Sequence, residues 1–418
     1  MSEFFFADGV CPVCGREHRC PIRYVVVKAG ALRSLPEITE GYQRLLLVAD
    51  ENTLKAAGEA AAHCLGDKIA GRVVFPGDRL LIPNEEAIAA VTAALDGIDM
   101  ILGVGSGVIQ DLCKYVSKVA GIPYVIAATA PSMDGYASDG AAMILGDMKV
   151  TVPSGLPYAI VADTEVLANA PAEMIRAGYG DIVGKYSALS DWRLASIVNG
   201  EYFCAAVHDA TMDEVKKTIA AADGIKTRTP EAMETLMGAL VNVGILMSYA
   251  FSSRPASGSE HHLSHFFEIT GIVEGKDYLP HGIDVACSTV LTLALRERLL
   301  AASWERRPVE SEAEREQAIR RVYGPVAEGC LALQAKAGSY TTDRVPTYLA
   351  KEAEIRALMS ELPSSESIRA LLSEAGIEMQ PFYELYGEAK IADALCYAKD
   401  LKDRYTVLWL AYDLGIRA

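Results

Sequence analysis

The sequence predicts a Rossmann-like α/β nucleotide domain with a parallel sheet, followed by an all-helical domain. Three observations carry that prediction. β-Branched runs alternate with amphipathic helical stretches through the first half, and a glycine turn joins one such run to a helix. Beyond Ala170, long helical segments replace strands. Alternation of this kind is the mark of a parallel sheet covered by helices, with ligands beyond the carboxyl ends of the strands.

In order, "RYVVVKAG" and "RLLLVAD" read as strands, "TLKAAGEAAAHCLG" as a helix and "GRVVFPG" as a strand. "NEEAIAAVTAALDG" reads as a helix, "DMILGVG" as a strand, "VIQDLCKYVSKVAG" as a helix and "IPYVIAATAP" as a strand. A last strand spans Tyr158 to Ala162, which puts a boundary near residue 165 and divides the chain into 1–165 and 166–418. The second part is built from segments such as "PAEMIRAGYGDIVGKYSALSDWRLASI" and "IDVACSTVLTLALRERLLAASWERR", and ends in "AKDLKDRYTVLWLAYDLG".

A chain of 418 residues, 51% hydrophobic and 22% charged, is long enough for two domains with a sizeable core. Thirty-nine basic against 55 acidic residues give a formal charge of −16. Such a field repels nucleic acid and anionic membrane, yet leaves room for a small anion in a locally positive pocket. No uncharged apolar run is expected to reach the roughly 18 residues of a membrane span. The start "MSEFFFADGV" lacks the basic flank and cleavage site of a signal peptide, so the expected address is the cytoplasm.

Nine scattered cysteines fit reduced thiols better than a disulfide framework. In "CPVCGREHRC", Cys11, Cys14, His18 and Cys20 are ligand types suited to zinc; a reduced turn without metal, or a redox role, are the alternatives.

"DMILGVGSGVIQDLCKY" passes from strand to helix through Gly103, Gly105, Ser106 and Gly107. Missing Cβ atoms permit a tight turn and close approach of phosphate oxygens, and the unpaired amides of the new helix point at them. Val108 breaks the G-x-G-x-x-G spacing and no G-K-[ST] follows, so the turn fits either phosphate binding or a structural role. Asp50, ending "LLLVAD", is placed to accept hydrogen bonds from an adenosine ribose or to cap the next helix. In "ATAPSMDGYASDG", Thr129 and Ser132 lie past a strand end with hydroxyls to donate, and Asp134 with Gly135 forms a turn that aims a carboxylate at the crevice.

The chain has seven histidines and spends three of them in "SGSEHHLSHFFE". With Ser257 or Ser259 as N-cap, His261, His265 and Glu268 share one helical face, while Leu263, Phe266, Phe267 and Ile269 cover the rest. His281 opens the next helix after Pro280. The carboxylate to join them is Asp181 in "GYGDIVGK", read as a helix start between glycines, with Lys185 one turn on. Two imidazoles and a carboxylate suit zinc, nickel or iron with a position open to substrate; separately satisfied side chains are the alternative. The H-E-x-x-H pattern is absent.

As a set, "GSGVIQDLCK", "TAPSMDGYAS", "GYGDIVGK", "SRPASGSEHHLSHFFE" and "LPHGIDV" resemble the sn-glycerol-1-phosphate dehydrogenases, over roughly Tyr24 to Ala294. That family shares a superfamily with iron-type alcohol dehydrogenases, glycerol dehydrogenase and dehydroquinate synthase. The resemblance implies a pyrophosphate contact at Gly105, Ser106 and Gly107, with Asp111 in the same cofactor motif, and nicotinamide-side contacts from Thr129, Ser132 and Ser138. It implies a substrate contact from Asp134, metal ligands Asp181, His261 and His281, and His265 touching substrate or relaying a proton. The implied reaction interconverts dihydroxyacetone phosphate and sn-glycerol 1-phosphate, using NAD(H) or NADP(H) and one divalent ion, zinc or nickel, in a homodimer. Lys149, Lys185 and Arg254 are the basic candidates for the substrate phosphate. The competing readings are an unphosphorylated polyol such as glycerol, or a dehydroquinate-synthase-like enzyme, whose D-S-x-x-G-G-K sequence "MDGYASDGAAMI" lacks. The tail from Arg306 onward carries no motif of the family.

Overall fold

The computed structural model describes residues 8–79, 81–146 and 148–416; residues 1–7, on which part of the leader reading rests, lie outside them, as does the Lys149 side chain. The chain forms two compact units, Met1–Ile182 with Lys216–Ser252, and Val183–Val215 with Ser253–Ala418. The division thus falls later than residue 165, and a stretch of later chain returns to the first unit.

The first unit holds a six-stranded parallel sheet of β3 (Tyr24–Lys28), β4 (Leu45–Asp50), β5 (Ile69–Phe75), β6 (Met100–Gly105), β7 (Tyr124–Ala128) and β10 (Ala159–Asp163), in the order β3-β10-β7-β6-β4-β5. Strands β4, β6, β7 and β10 are apolar and almost wholly buried, as strands covered on both faces must be. Two antiparallel hairpins were not foreseen: β1 (Gly9–Val10) with β2 (Glu17–His18), and β8 (Gly140–Leu145) with β9 (Met148–Pro153). From β4 the chain steps outward to β5 and then crosses back to β6 on the other side. Adjacent β4 and β6 therefore flank the switch point, where the sheet's carboxyl ends open a crevice.

Helix α1 (Gly107–Ala120) follows β6, and α2 (Ala172–Val183) follows the last strand. The returning segment supplies α4 (Pro230–Ala250), capped by the Thr229 hydroxyl and buried along most of its length. It corrects the expectation that no apolar run reaches membrane length, for by length and composition it could cross a membrane. Most of it is buried, because α4 is the core helix of this unit.

The second unit is helical throughout its described residues. It carries α3 (Lys185–Asn199), α5 (Ser259–Glu274), α6 (His281–Ala301) and, near the end, α7 (Val407–Asp413). One buried carboxylate ties these together. Asp191 on α3 accepts from the backbone N–H of Ser259 at 2.7 Å and of Val407 at 2.8 Å, and pairs with Arg296 of α6 at 2.8 Å. Serving two helix starts and a guanidinium, it leaves none of these buried charges uncompensated.

Candidate functional site

In the first unit a cavity of about 610 Å³ opens at the switch point, its walls including Asp50, Arg79, Ser106, Thr129, Glu165 and Met174. Backbone builds its floor. A Cβ on Gly105 would lie 2.6 Å from that of Ile109, so only glycine lets β6 turn into α1 here. Ser106 is the N-cap of α1 yet makes no side-chain capping bond, which leaves the first amides of a 14-residue helix for an anion. The Thr129 N–H donates to Gly105 O at 3.0 Å and fixes the neighbouring wall. Of the two roles expected of Asp50 the structure shows the cap: its Oδ1 accepts from the N–H groups of Asn52 and Thr53 at 2.8 Å, and the residue also lines the cavity.

The structure separates the remaining residues of the first unit from that cavity's walls. Asp134 to Ala137 form a 3-10 turn. The Asp134 N–H donates to Asp181 Oδ2 at 3.0 Å. Asp181 is fully buried, and it sits in the last turn of α2, not at a helix start. Gly178 explains how it gets there. A Cβ at that position would come 1.9 Å from Pro131 O, so α2 lies directly on the Pro131 segment and Asp181, three residues on, meets the turn. Ser132 hydrogen-bonds with the Tyr136 hydroxyl. The Ser138 hydroxyl donates to Gly135 O at 3.0 Å and accepts from Lys114 Nζ at 3.4 Å. Lys114, which sequence reasoning missed, is wholly buried beneath this turn; it donates to Gly135 O and Gly140 O and pairs with Asp111 at 3.5 Å. Asp111 and Ser138 thus meet through Lys114.

In the second unit α5 begins at Ser259 with Gly258 as N-cap and no capping side chain, so neither Ser257 nor Ser259 has the expected role. Gly258 is needed for space, since a Cβ there would come 2.7 Å from the Ala188 Cα of α3. Three histidines converge. The ring of His261 is 5.1 Å from that of His281 and 6.2 Å from that of His265, and the His265 and His281 rings are 5.7 Å apart. Glu260, also missed from the sequence, holds His261 Nδ1 at 2.8 Å and accepts from Gly258 N–H at 2.7 Å. Ser264 Oγ lies 3.3 Å from His281 Nδ1. Both rings therefore present Nε2, and a carboxylate-oriented imidazole is the usual companion of a metal ligand. Burial, then the charge of Lys185, holds the His261 imidazole well below its ordinary pKa, so it is neutral at physiological pH. A neutral imidazole is what a divalent ion requires.

Around these rings stand Lys185, offered by the sequence as a phosphate candidate, and two cations that no motif announced, Lys402 and Arg404. Lys185 Nζ donates to Ala256 O at 3.1 Å, Arg404 donates to Ser257 O at 2.6 Å and Ser253 Oγ at 2.8 Å, and Lys402 Nζ lies 3.5 Å from Ser257 Oγ. All three charges act on His261. Arg404 gives its hydrogen bonds to neutral oxygens, and burial followed by repulsion from Arg254 brings its pKa down to about 10. Arg254 itself is committed to the Glu201 carboxylate and Tyr405 O.

Residues 26–171 match the family model described as iron-containing alcohol dehydrogenase. An NAD(P)+ glycerol-1-phosphate dehydrogenase of Geobacillus stearothermophilus is 31% identical, covering 96% of this chain and 95% of that protein. One of Bacillus licheniformis is 29% identical, over 98% and 93%. Among solved structures, a sulfoacetaldehyde reductase of Bifidobacterium kashiwanohense shares the fold with a TM-score of 0.62 at 13% identity, over 94% of this chain and 97% of that one. An iron-containing alcohol dehydrogenase of Thermococcus thioreducens shares it with a TM-score of 0.60 at 15% identity, over 96% and 94%.

Proposed function

Because the chain belongs to the glycerol-1-phosphate dehydrogenase family, within the iron-containing alcohol dehydrogenase superfamily, we propose that it interconverts dihydroxyacetone phosphate and sn-glycerol 1-phosphate with NAD(H) or NADP(H). One observation carries the reading beyond the family: a neutral, carboxylate-oriented His261 lies within a ring of cations, which pairs a metal ligand with a receptor for an anionic substrate.

Asp181, His261 and His281 are the proposed ligands of one divalent ion, zinc or nickel, and their donor set of two imidazoles and a carboxylate fits either. When bound, that ion would polarise the substrate carbonyl, and the reduced nicotinamide would supply the hydride. The protein's own groups do the rest. The amides at Gly105, Ser106 and Gly107 seat the pyrophosphate, with Thr129 and Asp50 along the same cavity wall. Lys114 and Asp111 keep the Asp134 turn rigid, so that Asp134 and the hydroxyls of Ser132 and Ser138 meet the substrate and nicotinamide side in fixed positions. Lys185, Lys402 and Arg404 hold the phosphate, whose charge offsets the cost of keeping buried Arg404 ionised beside other cations. His265 then gives its proton to the carbonyl oxygen as the carbon becomes tetrahedral, and takes it back in the oxidative direction.

A cytoplasmic homodimer completes the proposal. The test is oxidation of NADH by dihydroxyacetone phosphate in protein reconstituted with zinc, nickel or iron. Turnover that exceeds turnover of unphosphorylated dihydroxyacetone is expected; none with any of the three ions overturns the reading.

A further inference from the structure

The N-terminal hairpin has chemistry that the dehydrogenase reaction does not use. Its two strands are two residues each, and Val10 and Val13 are 73% and 59% exposed. So small a hairpin is marginal in water by itself and needs packing or a cross-link to hold its shape. The turn between the strands is nonetheless well formed. Cys11 N–H donates to Arg16 O and Gly15 N–H to Cys11 O, both at 2.9 Å, with Gly15 at φ +71° in the left-handed region that the reversal needs.

That turn brings three donors to one point. Ligand atoms of Cys11, Cys14 and His18 all lie within 4.8 Å of one another, and Cys14 Sγ is 3.4 Å from His18 Nε2. Zinc–sulfur and zinc–nitrogen bonds of about 2.3 and 2.05 Å at a tetrahedral angle put the two atoms about 3.5 Å apart. Cys11 and His18 are buried. The His18 ring is stacked on Tyr249 at 5.1 Å with 10° between planes, which locks the imidazole in place. Cys20 belongs to the same sequence cluster but not to the site, for its thiol is engaged by the Ile22 backbone instead.

We propose that Cys11, Cys14 and His18 hold a structural zinc-class ion, distinct from the ion of the dehydrogenase site, with one more donor completing the tetrahedron. Two thiolates neutralise the dication, and the closed turn supplies the C-x2-C spacing such sites use. The ion's task is mechanical. Tyr249 sits near the end of α4, and α4 lies against the Asp134–Ala137 turn so closely that a Cβ on Gly244 would come 2.7 Å from the Cβ of Ala137. Fastening the hairpin to Tyr249 braces the helix that backs that turn.

Cobalt substitution of the full chain tests this directly, because thiolate ligands give a charge-transfer absorption in the near ultraviolet that a carboxylate–imidazole site lacks. Wild type should show the band, and so should Asp181→Asn and Cys20→Ser. Cys11→Ser with Cys14→Ser should lose it, together with one equivalent of metal by elemental analysis. Absence of the band in wild type, its survival in the double variant, or its loss in Asp181→Asn overturns the proposal. So does a Cys11–Cys14 disulfide found by alkylation and mass analysis of the native protein. The wild-type spectrum needs no folded variant, and none of these readings depends on catalytic activity.

Discussion

The two units build their proposed sites from different materials. The first presents main chain: a glycine turn, uncapped helix amides and a cavity at a sheet switch point. The second presents side chains: three imidazoles, an orienting glutamate and a cluster of cations around residues 253–257. A main-chain site depends on what is missing, a Cβ, and is written in a few adjacent residues. A side-chain site depends on charges delivered by contacts far apart in sequence, and each delivery is a separate point of failure.

The comparison breaks first, and most sharply, at the proposed metal ligands. Asp181→Asn or His261→Ala should lower kcat/KM at least about 10³-fold, roughly 4 kcal/mol of transition-state stabilisation. Nucleotide affinity, followed by nicotinamide fluorescence, should survive in both. Equal loss of nucleotide binding would show that the two sites are one energetic unit.

Next comes the phosphate. Arg404→Met should reduce the preference for dihydroxyacetone phosphate over dihydroxyacetone about 10²-fold, the ~2.7 kcal/mol expected when one partner of a desolvated charge pair is removed. Measuring kcat/KM for both ketones checks it. An unchanged ratio would leave the phosphate to Lys185 and Lys402, and remove Arg404 from the site.

The same contrast explains what the sequence made legible. The six sheet strands of the first unit and helices such as α1 follow from periodicities within a dozen residues, although both hairpins escaped them, and the Gly105 turn follows from a pattern of five. His261 and His265 were visible because helical spacing is local, although the cap expected at Ser257 or Ser259 belongs to Gly258, where close approach to Ala188 outweighs side-chain capping. Lys402 and Arg404 were invisible for a physical reason. The tail is held near the histidine helix by long-range bonds such as that from the Val407 N–H to Asp191, across 216 residues of chain, and no local pattern encodes such a bond. Lys114 stood inside a recognised motif, yet nothing short of its burial distinguishes it from a solvated lysine of α1.

Smaller effects sharpen the difference. Gly105→Ala forces a Cβ to 2.6 Å from that of Ile109, an overpacking worth about 1–3 kcal/mol, and should weaken NADH binding roughly 10-fold. Titration of the variant should show metal content unchanged. In the second unit the sensitivity is to protons. Burial pushes both His261 and His262 well below the ordinary imidazole value. Below about pH 6.5 the unfolded chain binds protons that the folded chain refuses, so unfolding free energy falls with pH, by up to about 1.4 kcal/mol per unit for each histidine. The melting temperature of metal-free protein should drop through this window, and bound metal should resist the drop. A flat profile would mean that these imidazoles are already solvated.

The smallest effect concerns the edge of the proposed nucleotide cavity, where the first unit departs from its own rule and uses side chains. Asp50 and Arg79 line the same cavity. A carboxylate there repels a ribose 2′-phosphate, while a guanidinium attracts it. Asp50 already gives one oxygen to the amides of Asn52 and Thr53, and this draws off part of its charge and tempers the repulsion. Arg79 is exposed, so its pull on a phosphate is screened and worth at most about 1 kcal/mol. Arg79→Ala should therefore lower the NADPH to NADH ratio of kcat/KM by no more than about 5-fold. Raised salt should shrink the wild-type ratio in the same direction, because an exposed cation loses its reach as the screening length falls. If neither change moves the ratio, cofactor choice rests on the main-chain floor of the cavity, and the first unit's site is backbone to its edge.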